Sequence, residues 1–133
     1  MSLDERLSTT IEASIDSIER INKGLLSRER KRRVLDYIEE NMDQTMSLLA
    51  IANVAAMSPY HFSRSFKRTM GVSPIRYVWQ RRVEAAKRML IEDTQSLAMV
   101  ALNCGFKSQS HFTTLFKHKT GMTPAAYRRE HYN

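Results

Sequence analysis

The chain carries one short pattern twice, and this repeat constrains its fold more than any other feature. The segment SLLAIANVAAM (47–57) aligns with SLAMVALNCGF (96–106) at an offset of 49. Ser47/Ser96, Leu48/Leu97 and Ala52/Ala101 are identical, and Ile51/Val100 and Met57/Phe106 are conservative pairs. The segments that follow, SPYHFSRSFKRTMGVSPIRY (58–77) and SQSHFTTLFKHKTGMTPAAY (108–127), align at an offset of 50. Eight of these twenty positions match: Ser58/Ser108, His61/His111, Phe62/Phe112, Phe66/Phe116, Lys67/Lys117, Gly71/Gly121, Pro74/Pro124 and Tyr77/Tyr127. Lys107 accounts for the change of offset, and a turn there absorbs it.

Each unit reads as helix, tight turn, helix, stop and new helix. Ser47 and Ser96 are placed as N-caps of short apolar helices. Ser58-Pro59 supplies a cap and then a proline at the first helical position, where its missing N–H matters least. Gly71 and Gly121 fall where a helix end turns left-handed. Ser73-Pro74 and Thr123-Pro124 repeat the cap-plus-proline start. Two short helices joined by a small-residue turn make a helix-turn-helix. Between the units, 74–91 has no interior Gly or Pro and is rich in helix formers. At 1.5 Å per residue it spans about 27 Å, comparable with the ~34 Å between successive major-groove faces on one side of a duplex.

Ahead of the repeat, Leu7, Ile11, Ile15, Ile18, Ile21 or Asn22, and Leu25 recur at three- and four-residue steps, the pattern of an amphipathic helix over 4–25. Gly24 and Ser27 punctuate the chain, and Ser27 is placed to cap a helix over 28–41 with the stripe Val34, Leu35, Tyr37 and Ile38. No strand alternation appears. The expected fold is all-α: two helix-turn-helix subdomains joined by a long linker helix, a homeodomain-like tandem of about seven helices, plus an N-terminal helix. The expected division is an N-terminal amphipathic helix or interdomain connector at 1–27 and a DNA-binding domain at 28–130. Within it lie a first helix-turn-helix at about 47–70, a linker helix at 74–91, a second helix-turn-helix at 96–120 and a final helix at 124–131.

Charge is divided unevenly along this plan. Residues 1–43 hold 8 Lys/Arg and 10 Asp/Glu, whereas 44–129 hold 13 Lys/Arg against Glu84, Glu92 and Asp93 alone. A basic excess confined to one segment marks a surface for a polyanion; nucleic acid fits best, and anionic membranes and acidic proteins attract such faces too. No apolar run is long enough to span a bilayer, and MSLDER at the start lacks a signal core, so a cytoplasmic, nucleoid-associated protein is expected. Cys104, the only cysteine, can form no internal disulfide, which fits a reducing compartment.

Enzymatic signatures are missing: no Gly-x-Ser-x-Gly, no Gly-rich phosphate loop, no paired histidine ligands. No catalytic residue, cofactor or metal is expected. His61 and His111 stand at equivalent positions without ligand spacing, which leaves packing, capping or a phosphate contact for them. Cys104 is read as a half-buried structural thiol, and Tyr77, Trp79 and Val83 as core.

The second helix of each unit divides into two faces. Phe62 and Phe66, four apart, share an inner face, as do Phe112 and Phe116. Tyr60, Ser63, Arg64 and Lys67 lie opposite the first pair; Ser110, Thr113, Thr114 and Lys117 lie opposite the second. Lys67, Arg68 and Lys117 are the candidate phosphate contacts, since cations release counterions from a duplex. Tyr60, Ser63, Arg64, Gln109, Ser110, Thr113 and Thr114 are the candidate base readers. Arg64 can fork onto guanine O6 and N7, and Gln109 can pair with adenine. The second face has no arginine, so weaker reading is expected there.

Together these residues resemble the AraC/XylS transcriptional regulators, over about 28–129. The resemblance is carried by MSPYHFSRSFK (57–67), GVSPIRY (71–77), Arg82 with AAKRML (85–90), Val100-Ala101, CGF (104–106), SQSHF (108–112), Phe116-Lys117, GMTP (121–124) and Tyr127-Arg128. It implies a seven-helix DNA-binding domain that reads neighbouring major-groove segments of double-stranded DNA, with the base readers at the positions above and RNA polymerase as a further partner. Ala56 departs from a turn position where the family often has glycine, and Thr114 stands where some relatives have arginine. Many members carry an upstream ligand-sensing or dimerising domain. Only about 27 residues precede the match here, so the chain reads as a short regulator or as the C-terminal piece of a longer one with an effector domain. A helical interaction module remains as a second reading, in which 4–25 binds a partner helix or a second copy.

Overall fold

The computed structural model describes residues 2–21 and 24–131, the side chains of 15–21 excepted, and among these residues every regular element is a helix. In order they are α1 (Leu3–Ile21), α2 (Arg28–Glu40), α3 (Leu48–Val54), α4 (Pro59–Met70), α5 (Pro74–Glu92), α6 (Leu97–Asn103), α7 (Gln109–Thr120) and α8 (Pro124–His131). The all-α tandem expected from the repeat is what forms.

Local chemistry sets the starts and stops. Ser47 and Ser96 Oγ accept the Ala50 and Met99 N–H groups at 3.1 and 3.2 Å. Ser58 and Ser108 do the same for His61 and His111 at 3.3 and 3.0 Å. Ser73 and Thr123 cap α5 and α8 through Arg76 and Ala126, and Ser27 caps α2 through Arg30. Each bond satisfies one of the unpaired donors at a helix start. Gly71 and Gly121 end α4 and α7 at φ 82° and 81°.

The two tight turns close identically. After α3, Ala56 N–H donates to the Asn53 carbonyl and Met57 N–H to the Ala52 carbonyl, at 3.0 and 3.1 Å. After α6, Gly105 and Phe106 donate to Leu102 and Ala101 at 3.1 and 2.9 Å. This paired bonding is the Schellman closure, which needs a left-handed residue. Ala56 supplies it at φ 54° and Gly105 at φ 80°.

Among the described residues two hydrophobic cores form, and α5 serves both. Val34, Ile38, Ile51, Phe62, Phe66 and Val78 fill the first. Val83, Leu90, Val100, Phe106, Phe112 and Phe116 fill the second. All four phenylalanines of the reader helices are fully buried. Equivalent ring contacts extend each core: Phe66 meets Tyr77 at 5.6 Å and Phe116 meets Tyr127 at 5.4 Å between centroids. Val83 is buried as expected, whereas Tyr77 and Trp79 pack at the edges of their cores, half-buried.

Arg82 joins the units. Its Nη2 donates to the Gln44 carbonyl at 2.6 Å, and its guanidinium sits 4.5 Å from the Trp79 ring centroid. Burial holds its pKa below the ordinary arginine range. Gly105 of the second turn lies against both this guanidinium and the Met42 carbonyl of the first unit. Beside it, Arg81 Nε donates to Glu39 at 2.7 Å. In the second unit Arg128 binds the end of α5 and the loop before α6, donating to the carbonyls of Leu90, Asp93 and Gln95 at 3.0, 3.3 and 2.6 Å.

Two expectations need correction. The first helix is described over Leu3–Ile21 and does not reach 25: Gly24 turns left-handed at φ 84° and Leu26 is drawn into the first core. Within α1, Leu7 and Ile11 are 53% and 58% exposed, and every described side chain from 2 to 14 is exposed. Of the remaining stripe positions, the side chains of Ile15, Ile18 and Ile21 and the whole of Asn22 lie outside what is described, and Leu25 is exposed. Cys104 is fully buried, not half-buried, because the closing turn folds it under Met89, whose sulfur is 3.6 Å away.

Candidate nucleic-acid interface

The reader helices are positioned by the rings they hide. With Phe62 and Phe66 fixed inside, α4 must turn Tyr60, Arg64, Lys67 and Arg68 outward, and all four are exposed, Tyr60 to 65%. Ser63 is half-buried at the edge of the same face. Arg64 Nη1 donates to Tyr60 Oη at 2.9 Å, and its Cζ lies 5.7 Å from the ring centroid. The phenol thus holds one side of the guanidinium and leaves its other donors for an acceptor. Among the described residues none of Arg64, Lys67 and Arg68 forms an ion pair.

In α7, Phe112 and Phe116 turn Gln109, Ser110, Thr114 and Lys117 outward, with Thr113 half-buried. The last turn adds His118 and Lys119 beside Lys117. This face is polar and short-chained, whereas that of α4 carries two guanidiniums. The difference follows from Thr113 and Thr114 standing where the first unit has Ser63 and Arg64.

The equivalent histidines part company. His61 is exposed, with Nδ1 2.8 Å from Ser58 Oγ. His111 is half-buried, with its ring 5.0 Å from that of Trp79 and 5.6 Å from that of Phe106. Its Nδ1 accepts the N–H of Lys107 at 3.4 Å. Lys107 is the residue that shifts the repeat offset, so the sequence did hold a signal for this divergence. Nothing in the pattern of residues pointed to Gly24 meeting Arg68, or to Arg82 bridging the units. Among the described residues no cluster of His, Cys, Asp or Glu could hold a metal, and no helix is long and apolar enough to cross a membrane.

A turn closed on a left-handed residue, with a cationic helix turned outward behind it, is the helix-turn-helix DNA-binding module, here in two copies on one shared helix. A family model described as a helix-turn-helix domain matches residues 51–130. The chain belongs to the AraC/XylS family of transcriptional regulators and carries that family's helix-turn-helix DNA-binding domain. It is 38% identical over 96 residues to the bifunctional transcriptional activator/DNA repair enzyme AdaA of Bacillus subtilis, covering 72% of this chain and 46% of AdaA. The chain thus spans less than half the length of that relative. A regulator from Chromobacterium violaceum with an AraC-type DNA-binding domain superposes with a TM-score of 0.72 at 25% identity, covering 78% of this chain and 93% of that one. The DNA-binding domain of AdpA, solved in complex with a target DNA, superposes with a TM-score of 0.71 at 31% identity, covering 73% and 87%.

Proposed function

We propose that the chain is a sequence-specific regulator that reads two successive major-groove segments of one duplex, with α4 in the first and α7 in the second. The observation that carries this reading is the pairing of two equivalent helices on α5, each with two phenylalanines buried and its polar side exposed. Tyr60, Ser63 and Arg64 read bases from α4, and Gln109, Ser110, Thr113 and Thr114 from α7. Lys67, Arg68 and Lys117 contact phosphates and supply affinity that does not depend on sequence. Residues 28–130 form the DNA-binding domain, and 1–27 connect it to a partner or a further domain.

The protein binds and does not catalyse, and it works in the cytoplasm on chromosomal DNA. RNA polymerase is its second partner, a reading supported by relatives that are transcriptional activators. An effector domain upstream in the parent chain fits the fraction of AdaA that this chain covers. Self-association through 4–25 is favoured by the exposure of Leu7 and Ile11.

Selection of bound sequences from a random duplex pool, at stated salt, tests the central reading. The expected site has two preferred segments about one helical turn apart. Arg64→Ala should relax preference within one segment, and Lys67→Ala should weaken binding to all sequences. A pool that emerges without any preference would refute sequence-specific reading.

A further inference from the structure

The connector before α2 and the first reader helix meet at one point. Gly24 adopts φ 84° and its Cα faces Arg68; a Cβ there would overlap Nη1 and lie 3.2 Å from Cζ. Two residues on, Leu26 N–H donates to Thr69 Oγ1 at 2.9 Å, and that hydroxyl donates to the Ser65 carbonyl at 2.8 Å. The Leu26 side chain is buried in the first core. Residues 24–26 are therefore latched onto the C-terminal half of α4.

The latch encloses a shallow cavity of about 250 Å³ bordered by Gly24, Tyr60, His61, Arg64, Ser65 and Arg68. Among the described residues two guanidiniums, a phenol and an imidazole edge it, and no carboxylate does. The Arg68 guanidinium, without an ion pair among the described residues, offers charge-assisted donors to an anion seated there. Ser58 Oγ accepts the His61 N–H, and its own proton can go to Nδ1. In that arrangement Nε2, on the far edge of the ring, carries the imidazole proton. The second unit has no counterpart: Lys107 binds His111 Nδ1, and that ring packs against Trp79 and Phe106.

We propose that this cavity seats one backbone phosphate of the bound duplex, with Arg68 and the His61 Nε2–H as donors and Gly24 as its floor. The proposal rests on the DNA-reading function above. Gly24 matters because Arg68 lies across its bare Cα, so the connector sets the pose of a contact on the reader.

The test scans single methylphosphonates along the selected site, measuring binding by wild type and by variants of the full chain. One uncharged position should weaken wild type about tenfold and leave Arg68→Gln nearly unaffected, as expected for one charge-assisted bond. Arg68→Gln should also lower the slope of log affinity against log salt by about 0.9, whereas His61→Ala should weaken binding without changing it. Gly24→Ala should reproduce Arg68→Gln, and its effect should vanish in the double variant. A Gly24→Ala effect that persists in the double variant overturns the coupling. If Arg64→Ala relaxes base preference but no methylphosphonate position loses its effect in Arg68→Gln, the seat is wrong and the reader stands. If wild type prefers no duplex sequence, the function itself is wrong.

Discussion

Ala56 and Gly105 occupy the same left-handed corner of the two tight turns, at φ 54° and 80°, yet only one of them is glycine. The neighbours explain why this is tolerated. Ala56 is exposed, so its Cβ has space. Gly105 is pressed against the Met42 carbonyl and the Arg82 guanidinium, where a Cβ has none. One corner is therefore only strained, while the other is both strained and filled.

Opposite substitutions should separate the two corners. Ala56→Gly relieves roughly 1–2 kcal/mol of left-handed strain and loses about 0.5–1 kcal/mol to unfolded-chain entropy, so a net gain of up to ~1.5 kcal/mol is expected. Gly105→Ala adds the strain and a backbone clash, and should lose about 2 kcal/mol or more. Urea unfolding of both variants measures this. Equal effects would show that Arg82 and Met42 do not confine the second corner.

Arg82→Met should loosen the units from one another. The change leaves the Gln44 carbonyl without its donor, a loss of about 1–3 kcal/mol. Because Arg82 and Gly105 tie the second turn to the first unit, binding to a complete two-segment site should fall more than binding to either segment alone. Titrations against the whole site and each half compare them directly. A uniform loss across all three would assign Arg82 to stability only.

The Cys104 thiol should be inert in the folded chain. Burial pushes its pKa up to about 11 from an ordinary 9.0, against the weaker opposing pull of Arg82 and Arg88. A raised pKa means that the folded state favours the protonated thiol. Its contribution to stability is therefore full below about pH 9 and is lost as pH rises towards about 11. Labelling by a thiol reagent at pH 8 should proceed at the rate of unfolding, and fast labelling of the native chain would contradict the burial.

The two readers should differ in kind. Arg64→Ala should cost about 1–3 kcal/mol at one base position, the scale of a bidentate contact. Lys117→Ala should lower affinity evenly across sequences and reduce the salt slope by about 0.9. A binding profile over single-base variants of the site distinguishes the two patterns. Stronger discrimination under α7 than under α4 would reverse the expected ranking.

Removal of residues 1–21, which leaves Leu26 in the first core, should change assembly state if α1 joins copies through Leu3, Leu7 and Ile11. Sedimentation of both lengths over a concentration series is the measurement. Identical monomeric behaviour would leave α1 as a connector.

Helix starts and stops were legible in the sequence because they are local. A serine bonds a donor three residues on, proline suits a first turn, and glycine closes an end, all without reference to distant chain. The same locality made the buried phenylalanine pairs and the outward cations readable, since a helical period assigns faces. What had to wait for the folded chain involves partners far apart in sequence. Leu26 meets Thr69, Arg82 meets Gln44, and Arg128 meets Leu90, pairs separated by 43, 38 and 38 residues. The burial of Cys104, the left-handed break at Gly24 and the different fates of His61 and His111 belong to this second group. Spacing states which side of a helix a residue occupies, but packing decides what covers that side, and packing is settled only when separate elements compete for the same volume.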